Sequence, residues 1–261
     1  MGKRSMLTFF LSVLFTSAGF IYGAEKQDTL LATIEVQAGT IDRVDCPVCV
    51  ALPKNLNAFR PMRLLEKTSG KKLPVPFQIE NGKVQKLWFI LTGKTPAGTV
   101  RTFELRRDIP IISDGPIITL DARSLSVSLK GAPFLTYNHA HVPPPKGVRF
   151  AYTRSGYIHP LFSPRGCLVT EDFPSDHLHH KGVWMPWTST EFEGRHIDFW
   201  NLGKEQGTVQ FAGFQEISCG PVYARFKAKH QHVDLTQGRA KVVLEEIWDV
   251  RIWASGGRKK G

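Results

Sequence analysis

Apolar and polar residues take turns along much of this chain. "LLATIEVQAG" alternates and ends at Gly39, and "GTVRTFELRRD" sets Val100, Thr102 and Leu105 among Arg101, Arg106 and Arg107. "SLSVSLKG" puts Leu125, Val127 and Leu129 on one face and serines on the other, while "KLWFILTG" is a short apolar run closed by Gly93. Period-two alternation in short runs bounded by Gly and Pro specifies strands. Few segments carry a helical period. The pattern predicts an all-β fold of the sandwich kind. "RDIPIISDGP", residues 107–116, interrupts it with two prolines and an Asp-Gly. That break divides the chain into a small β-sandwich domain over 25–112 and a His-rich β-sandwich domain over 113–261.

The last unit reads as a hairpin. In "VYARFKAKHQHVD", Val222, Ala224, Phe226, Ala228, His230 and His232 share one face, and Arg225, Lys227 and Lys229 share the other. "DLTQGRA" supplies the turn. "KVVLEEIWDVRIW" returns with Val242, Leu244, Trp248, Val250 and Ile252 on a face that also holds Glu246. With Gln237 to Arg239 at the tip, His230 and Glu246 meet on adjacent strands; a slip of one residue would part them. The chain stops in "ASGGRKKG" directly after this strand, which reads as a domain truncated at its C-terminus.

The first residues change the picture. Lys3 and Arg4 precede an uncharged apolar run, Leu7 to Tyr22, and Gly23-Ala24 offers a small-residue cut before Glu25. This is the pattern of a secretory signal peptide over residues 1–24. The run is shorter than the ~20 residues of a spanning helix, and no later run is long enough. The expectation is an exported protein, periplasmic or extracellular, with no stable membrane insertion after signal removal. Net charge is +11, and removal of Lys3 and Arg4 leaves 11 − 2 = +9. A basic balance favours nucleic acid, anionic membranes or acidic polymers. Export argues against nucleic acid and for a saccharide or polysaccharide partner.

Four cysteines add little. Cys46 and Cys49 form C-P-V-C, but "RVDCPVCVALP" has strand composition and no helix follows, unlike thioredoxin-type sites. Cys167 and Cys219 could pair in an oxidising compartment.

Histidines carry the candidate chemistry. "DFPSDHLHHKG" packs His177, His179 and His180 beside Asp176, and His-x-His pairs recur at His139/His141 and His230/His232. Residues two apart on an extended strand project from one face. His177 and His179 should then act together, with His180 turned away. Two imidazoles so placed can chelate a divalent metal, with Asp176, Glu191 or Asp198 completing a set. Alternatively His177, His179, His180, His230, His232 and Glu246 perform acid–base catalysis. The third reading is structural, with imidazoles tying down loops; it leads for His139 and His141, near a Pro-rich bend that could rim a pocket. Trp184, Trp187 and Trp200 crowd the same region, and sugars stack on such rings, although core packing is their commoner fate. Asp176, Asp198, His139 and His141 are the remaining candidates for contacting a ligand.

"RSGYIHPLFSPRG", "LVTEDFPSDHLHHKGVWMPW" and "IDFWNLG", with "VPFQIENG" and "LWFILTGKTPAG" upstream, resemble an exported bacterial family of unknown function labelled methane oxygenase PmoA-like. The resemblance covers nearly the whole mature chain. It implies a secreted β-rich protein of polysaccharide-degrading bacteria, with a large sandwich similar to that of galactose mutarotase. It carries over no catalytic residue, and the family's pattern continues beyond the last residue here. Three functions remain open: a carbohydrate-active enzyme (lyase, hydrolase or epimerase type) using histidine acid–base chemistry; a non-catalytic carbohydrate-binding module; and, as the family label implies, a His-ligated metal-dependent oxidoreductase with His177 and His179 as ligands.

Overall fold

The structure is a computed structural model that describes residues 28–54, 56, 60–111 and 113–255. Residues 1–24, read above as a signal peptide, lie outside the described residues. Seven strands come first: β1 (Thr29–Gln37), β2 (Arg43–Ala51), β3 (Arg63–Thr68), β4 (Lys71–Val75), β5 (Phe77–Glu80), β6 (Lys86–Thr95) and β7 (Val100–Arg107). They form two antiparallel sheets, ordered β1-β7-β3-β4 and β2-β6-β5. Alternation buries one face of each: Ile34, Leu64, Phe103 and Leu105 meet Leu87, Phe89 and Leu91 in a shared core. Cys46 and Cys49 lie on β2, an edge strand, where Pro47 forfeits no essential ladder bond.

Nine strands follow: β8 (Pro116–Leu120), β9 (Ser124–Leu129), β10 (Ala132–Asn138), β11 (Tyr157–Leu161), β12 (Thr190–Phe192), β13 (Arg195–Ile197), β14 (Gly207–Cys219), β15 (Tyr223–Asp234) and β16 (Lys241–Trp253). One sheet runs β11-β10-β9-β8 and faces another, β14-β15-β16. Leu125, Val127 and Leu129 are buried and their intervening serines half-buried, as the alternation predicts. Leu125, Val127, Leu135 and Tyr137 pack against Ala224, Phe226, Ala228 and Ile252 to close the second core. The molecule is therefore all-β, with facing antiparallel sheets in each half.

The halves meet through β5 and β6 on one side and β15 and β16 on the other. Ile90 packs with Val222 and Tyr223, flanked by Trp88 and Trp253. The Gln78 side-chain oxygen accepts from the backbone N–H of Val222 and of Tyr223, at 3.3 and 3.1 Å. Glu80 accepts from Arg225 at 3.0 Å and from Arg251 at 3.1 Å.

Cys167 and Cys219, whose pairing the sequence leaves open, are both free and exposed in the structure. One expectation fails here. Val242 is not on the inward face of β16. The register shifts between His232, opposite Leu244, and Val233, opposite Val242. The extra residue, Val243, turns inward onto Ile197, Phe199 and Val209, and Val242 becomes exposed.

Candidate functional site

The hairpin places its polar residues where the alternation requires. His230 pairs directly with Glu246 across β15 and β16. β15 is the central strand, so side chains on its inward face end up between two sheets, and His230 and His232 are buried. Glu246 Oε2 lies 3.6 Å from His230 Nδ1 and 3.4 Å from His232 Nε2. On the far side His230 Nε2 meets the Tyr137 hydroxyl of β10 at 2.5 Å. Gly156, at φ +75°, passes so close to the His230 ring that an added Cβ would press on it.

Protonation states follow from burial. Desolvation pushes the His230 and His232 pKa values down, and the Glu246 carboxylate only partly opposes it. Desolvation and then Glu246 push the Tyr137 hydroxyl far up, so it stays protonated. A protonated phenol donates to His230 Nε2, which leaves the neutral ring's proton on Nδ1, facing Glu246. Glu246 is the member open to solvent, its side chain 24% exposed. In this tautomer His230 points Nδ1–H at the solvent-open carboxylate, and His232 Nε2 is the second ring nitrogen beside it.

The His-rich stretch is not extended. His177 N–H donates to Pro174 O, His180 N–H to His177 O and Phe173 N–H to His180 O, which folds it into successive turns. Gly182, at φ +44°, closes the loop against β11, where any side chain would run into the Ile158 carbonyl. The extended conformation that would set His177 and His179 on one face is therefore absent, although the two rings still meet edge-on at 5.8 Å. His177 stacks on His180 with centroids 4.8 Å apart and planes 15° from parallel, while His179 stands edge-on to His180 at 4.6 Å. Asp176 is an exposed partner of His177, at 3.0 Å from Nδ1. Burial, then the neighbouring His180 and His177, lowers the His179 pKa. Stacked rings do not converge their nitrogens. Among the described residues no group of three or more His, Cys, Asp or Glu is arranged to hold a metal ion.

Aromatic rings pack against both this loop and the hairpin. His180 meets Trp200 edge-on at 5.8 Å, and Trp200 packs on Trp184 at 4.7 Å. Trp184 covers the Arg154 guanidinium, whose Cζ lies 4.5 Å from the ring centroid. Trp187, 52% exposed, and Phe199 both pack against His232. Among the described residues no ring contact links His177, His179 or His180 directly to His230 or His232.

Sequence reasoning missed the buried cations. Arg154 is 1% exposed and Lys181 0%. Burial lowers the Arg154 pKa to about 9, with Tyr157 and Glu246 pulling the other way. Lys181 stands over the Phe173 ring and 3.4 Å from Asp172 Oδ1, while Tyr157 donates to Asp172 Oδ2 at 2.8 Å. Burial lowers the Lys181 pKa to about 8 despite Asp172. An Arg or Lys outside a periodic run reads as surface, and only the fold encloses these two.

Other candidates fall elsewhere. Asp198 is buried but fully engaged, accepting from Trp200 N–H, Asn201 N–H, the Asn201 amide and Lys204. Burial raises its pKa, yet these donors outweigh that and hold it down at about 2. It anchors the turn that carries Trp200. Glu191 is exposed, opposite His196 across β12 and β13. His139 Nε2 meets the Asp121 carbonyl at 3.1 Å and the ring packs on Phe211 and Phe214; His141 is exposed. Neither touches the hairpin histidines. A cleft of about 880 Å³ lies between the two halves, lined by Asp45, Ile90, Lys130 and Arg165 among others. It lies away from the His230–Glu246 pair, and the titratable chemistry is concentrated at that pair.

The model of a family of unknown function, DUF6807, matches residues 124–260, more than half of the 261-residue chain. The chain belongs to this family. The DUF6807 segment opens at the first residue of β9 and takes in Tyr137, Arg154, the His-rich loop, Lys181, the tryptophan wall and the β15–β16 hairpin. The network is thus wholly a feature of the DUF6807 segment, and the first sandwich lies outside it. The family's description assigns no activity and does not carry the methane-oxygenase label. No match to this chain was found among curated proteins or solved structures.

Proposed function

We propose that this DUF6807 protein is exported and acts on a saccharide, with Glu246 as the acid–base group in contact with ligand and His230 and His232 behind it. The observation that carries the reading is the placement of Glu246 Oε2 between two buried imidazoles, at 3.6 and 3.4 Å, with its own side chain open to solvent. Of the two rings beside the carboxylate, His230 presents Nδ1–H as a donor and His232 can exchange a proton through Nε2, which poises the carboxylate for transfer to a bound molecule. Trp187, 52% exposed, and Trp184, packed on Trp200, supply faces of the kind sugar rings stack on. This differs from direct catalysis by the histidines: His230 and His232 are enclosed and reach a ligand only through Glu246.

The test is turnover of a panel of polysaccharides by the purified mature protein. Proton transfer by a positioned group contributes about 10²–10⁴-fold, so Glu246→Gln should lose about that factor in rate while remaining folded. Full activity in Glu246→Gln would overturn the assignment. A second reading, a binding module without turnover, is favoured by the complete burial of His230 and His232. It predicts saccharide binding by the wild type, no turnover, and unchanged affinity in Glu246→Gln. The metal-dependent reading finds no convergent donor set among the described residues.

A further inference from the structure

We infer that the guanidinium of Arg154 receives a singly charged oxyanion carried by the ligand, so that the saccharide bound here is acidic, bearing a carboxylate or a sulfate ester. This rests on the saccharide reading above. Arg154 is 1% exposed, and its Nε and Nη1 donors are buried without a hydrogen-bond partner. Among the described residues no carboxylate forms an ion pair with it. A buried charge left unpaired is costly, and an arginine stays ionised where other groups would neutralise. The chain here nevertheless encloses one.

Its surroundings are equally unfinished. His230 Nδ1 and His232 Nδ1, within electrostatic reach of Arg154, are also buried without hydrogen-bond partners, whereas Lys181 Nζ and Asp172 Oδ1 face each other at 3.4 Å. Unmet polar atoms in one region mark the place of a polar occupant. Water could satisfy the hydrogen bonds but not the charge. An oxyanion satisfies both, and guanidinium groups bind carboxylate and sulfate-type oxygens through short, charge-assisted bonds. Glu246 and Asp172 lie within electrostatic reach of this region and act against a doubly charged ligand. Trp184 covers one face of Arg154 and is itself held by Trp200 and the imidazoles of His179 and His180. In this proposal the ligand reaches the guanidinium by displacing the Trp184 ring.

The experiment compares three oligosaccharides by calorimetric titration: a hexuronate, its carboxyl-reduced neutral counterpart, and a sulfated neutral one. The wild type should bind one or both acidic ligands at least about tenfold more tightly than the neutral one, the scale of a hydrogen-bonded charge. Arg154→Met should erase that preference while melting at or above the wild-type temperature, since it removes an unpaired buried charge. Arg123→Gln, which removes an exposed arginine of equal charge, should keep the preference. Arg154→Lys should keep part of it, which covers the case in which Arg154→Met does not fold. Equal binding of neutral and acidic ligands overturns the inference and leaves the saccharide reading standing. Binding of none of the three overturns both. A preference kept in full by folded Arg154→Met, no preference at all in Arg154→Lys where Arg154→Met does not fold, or an equal loss of preference in Arg123→Gln overturns the inference.

Discussion

His230 sits between the two sheets of the second sandwich, and enclosure there penalises its charged form more than Glu246 favours it. The folded protein therefore holds His230 and His232 neutral at pH values where an unfolded chain, with an ordinary histidine value of 6.5, begins to take up protons. The unfolded state binds more protons in that window, so stability rises with pH through it. The contribution is fully present above pH 6.5 and declines as pH falls toward the lowered folded values. We expect a lower melting temperature at pH 5 than at pH 7.5. His230→Gln should show a shallower dependence, because one of the two neutral imidazoles is gone. Melting curves measured across that range decide it, and an unchanged slope in His230→Gln would count against the account. Tyr137 belongs to the same scale: its partner, His230, lies 93 residues further along the chain, and the pairing is not visible as a local pattern.

Among elements, the β15–β16 hairpin carries the site and also the junction with the first sandwich. Its inward face changes character along its length, from Phe226 and Ala228 in the core to His230 and His232 at the polar end. The other end meets β5 and β6 through Gln78, Glu80 and Trp88. The turn before β15 is tight at this junction. A Cβ on Gly115 would collide with the Gly220 carbonyl, and one on Gly220 would meet the Gln78 side chain at 2.6 Å. Gly115→Ala is thus expected to cost about 1–3 kcal/mol by overpacking. A denaturation midpoint equal to that of the wild type would show that the backbone yields there more easily than its contacts suggest. β2 offers the converse case. Cys46 and Cys49 lie on an edge strand and are both free. Replacing both by Ser should leave the melting temperature and any saccharide turnover unchanged, and a large loss of either would refute that.

At the scale of the whole molecule, net charge is +11, and several cations are held inside ion-pair networks rather than at the surface. Arg225 is bound to Asp249, Glu80 and Glu216 at 2.6–3.2 Å and serves the junction between the halves. No helix among the described residues is long and apolar enough to cross a membrane. Export is inferred from the sequence of residues 1–24, and it predicts a mature chain beginning at or near Glu25. N-terminal sequencing of protein recovered from the cell envelope should find that start; Met1 retained on a cytoplasmic species would refute it.

Hydrophobic alternation by itself determined the all-β class, the serine face of β9 and the His230–Glu246 pairing. Strand period and turn length are local quantities, written in consecutive residues. The same locality misled where a single residue breaks the period: the bulge that turns Val243 inward in place of Val242, and the turns that stack His177 on His180 and leave His179 edge-on. Tertiary structure alone decided that Tyr137 from the facing sheet caps His230, that Asp198 anchors a turn, and that His139 and His141 stay apart from the hairpin. It alone decided that Arg154 and Lys181 are enclosed. Burial is a property of what the rest of the chain lays over a residue, and neither side chain's identity nor its neighbours in sequence specify that cover.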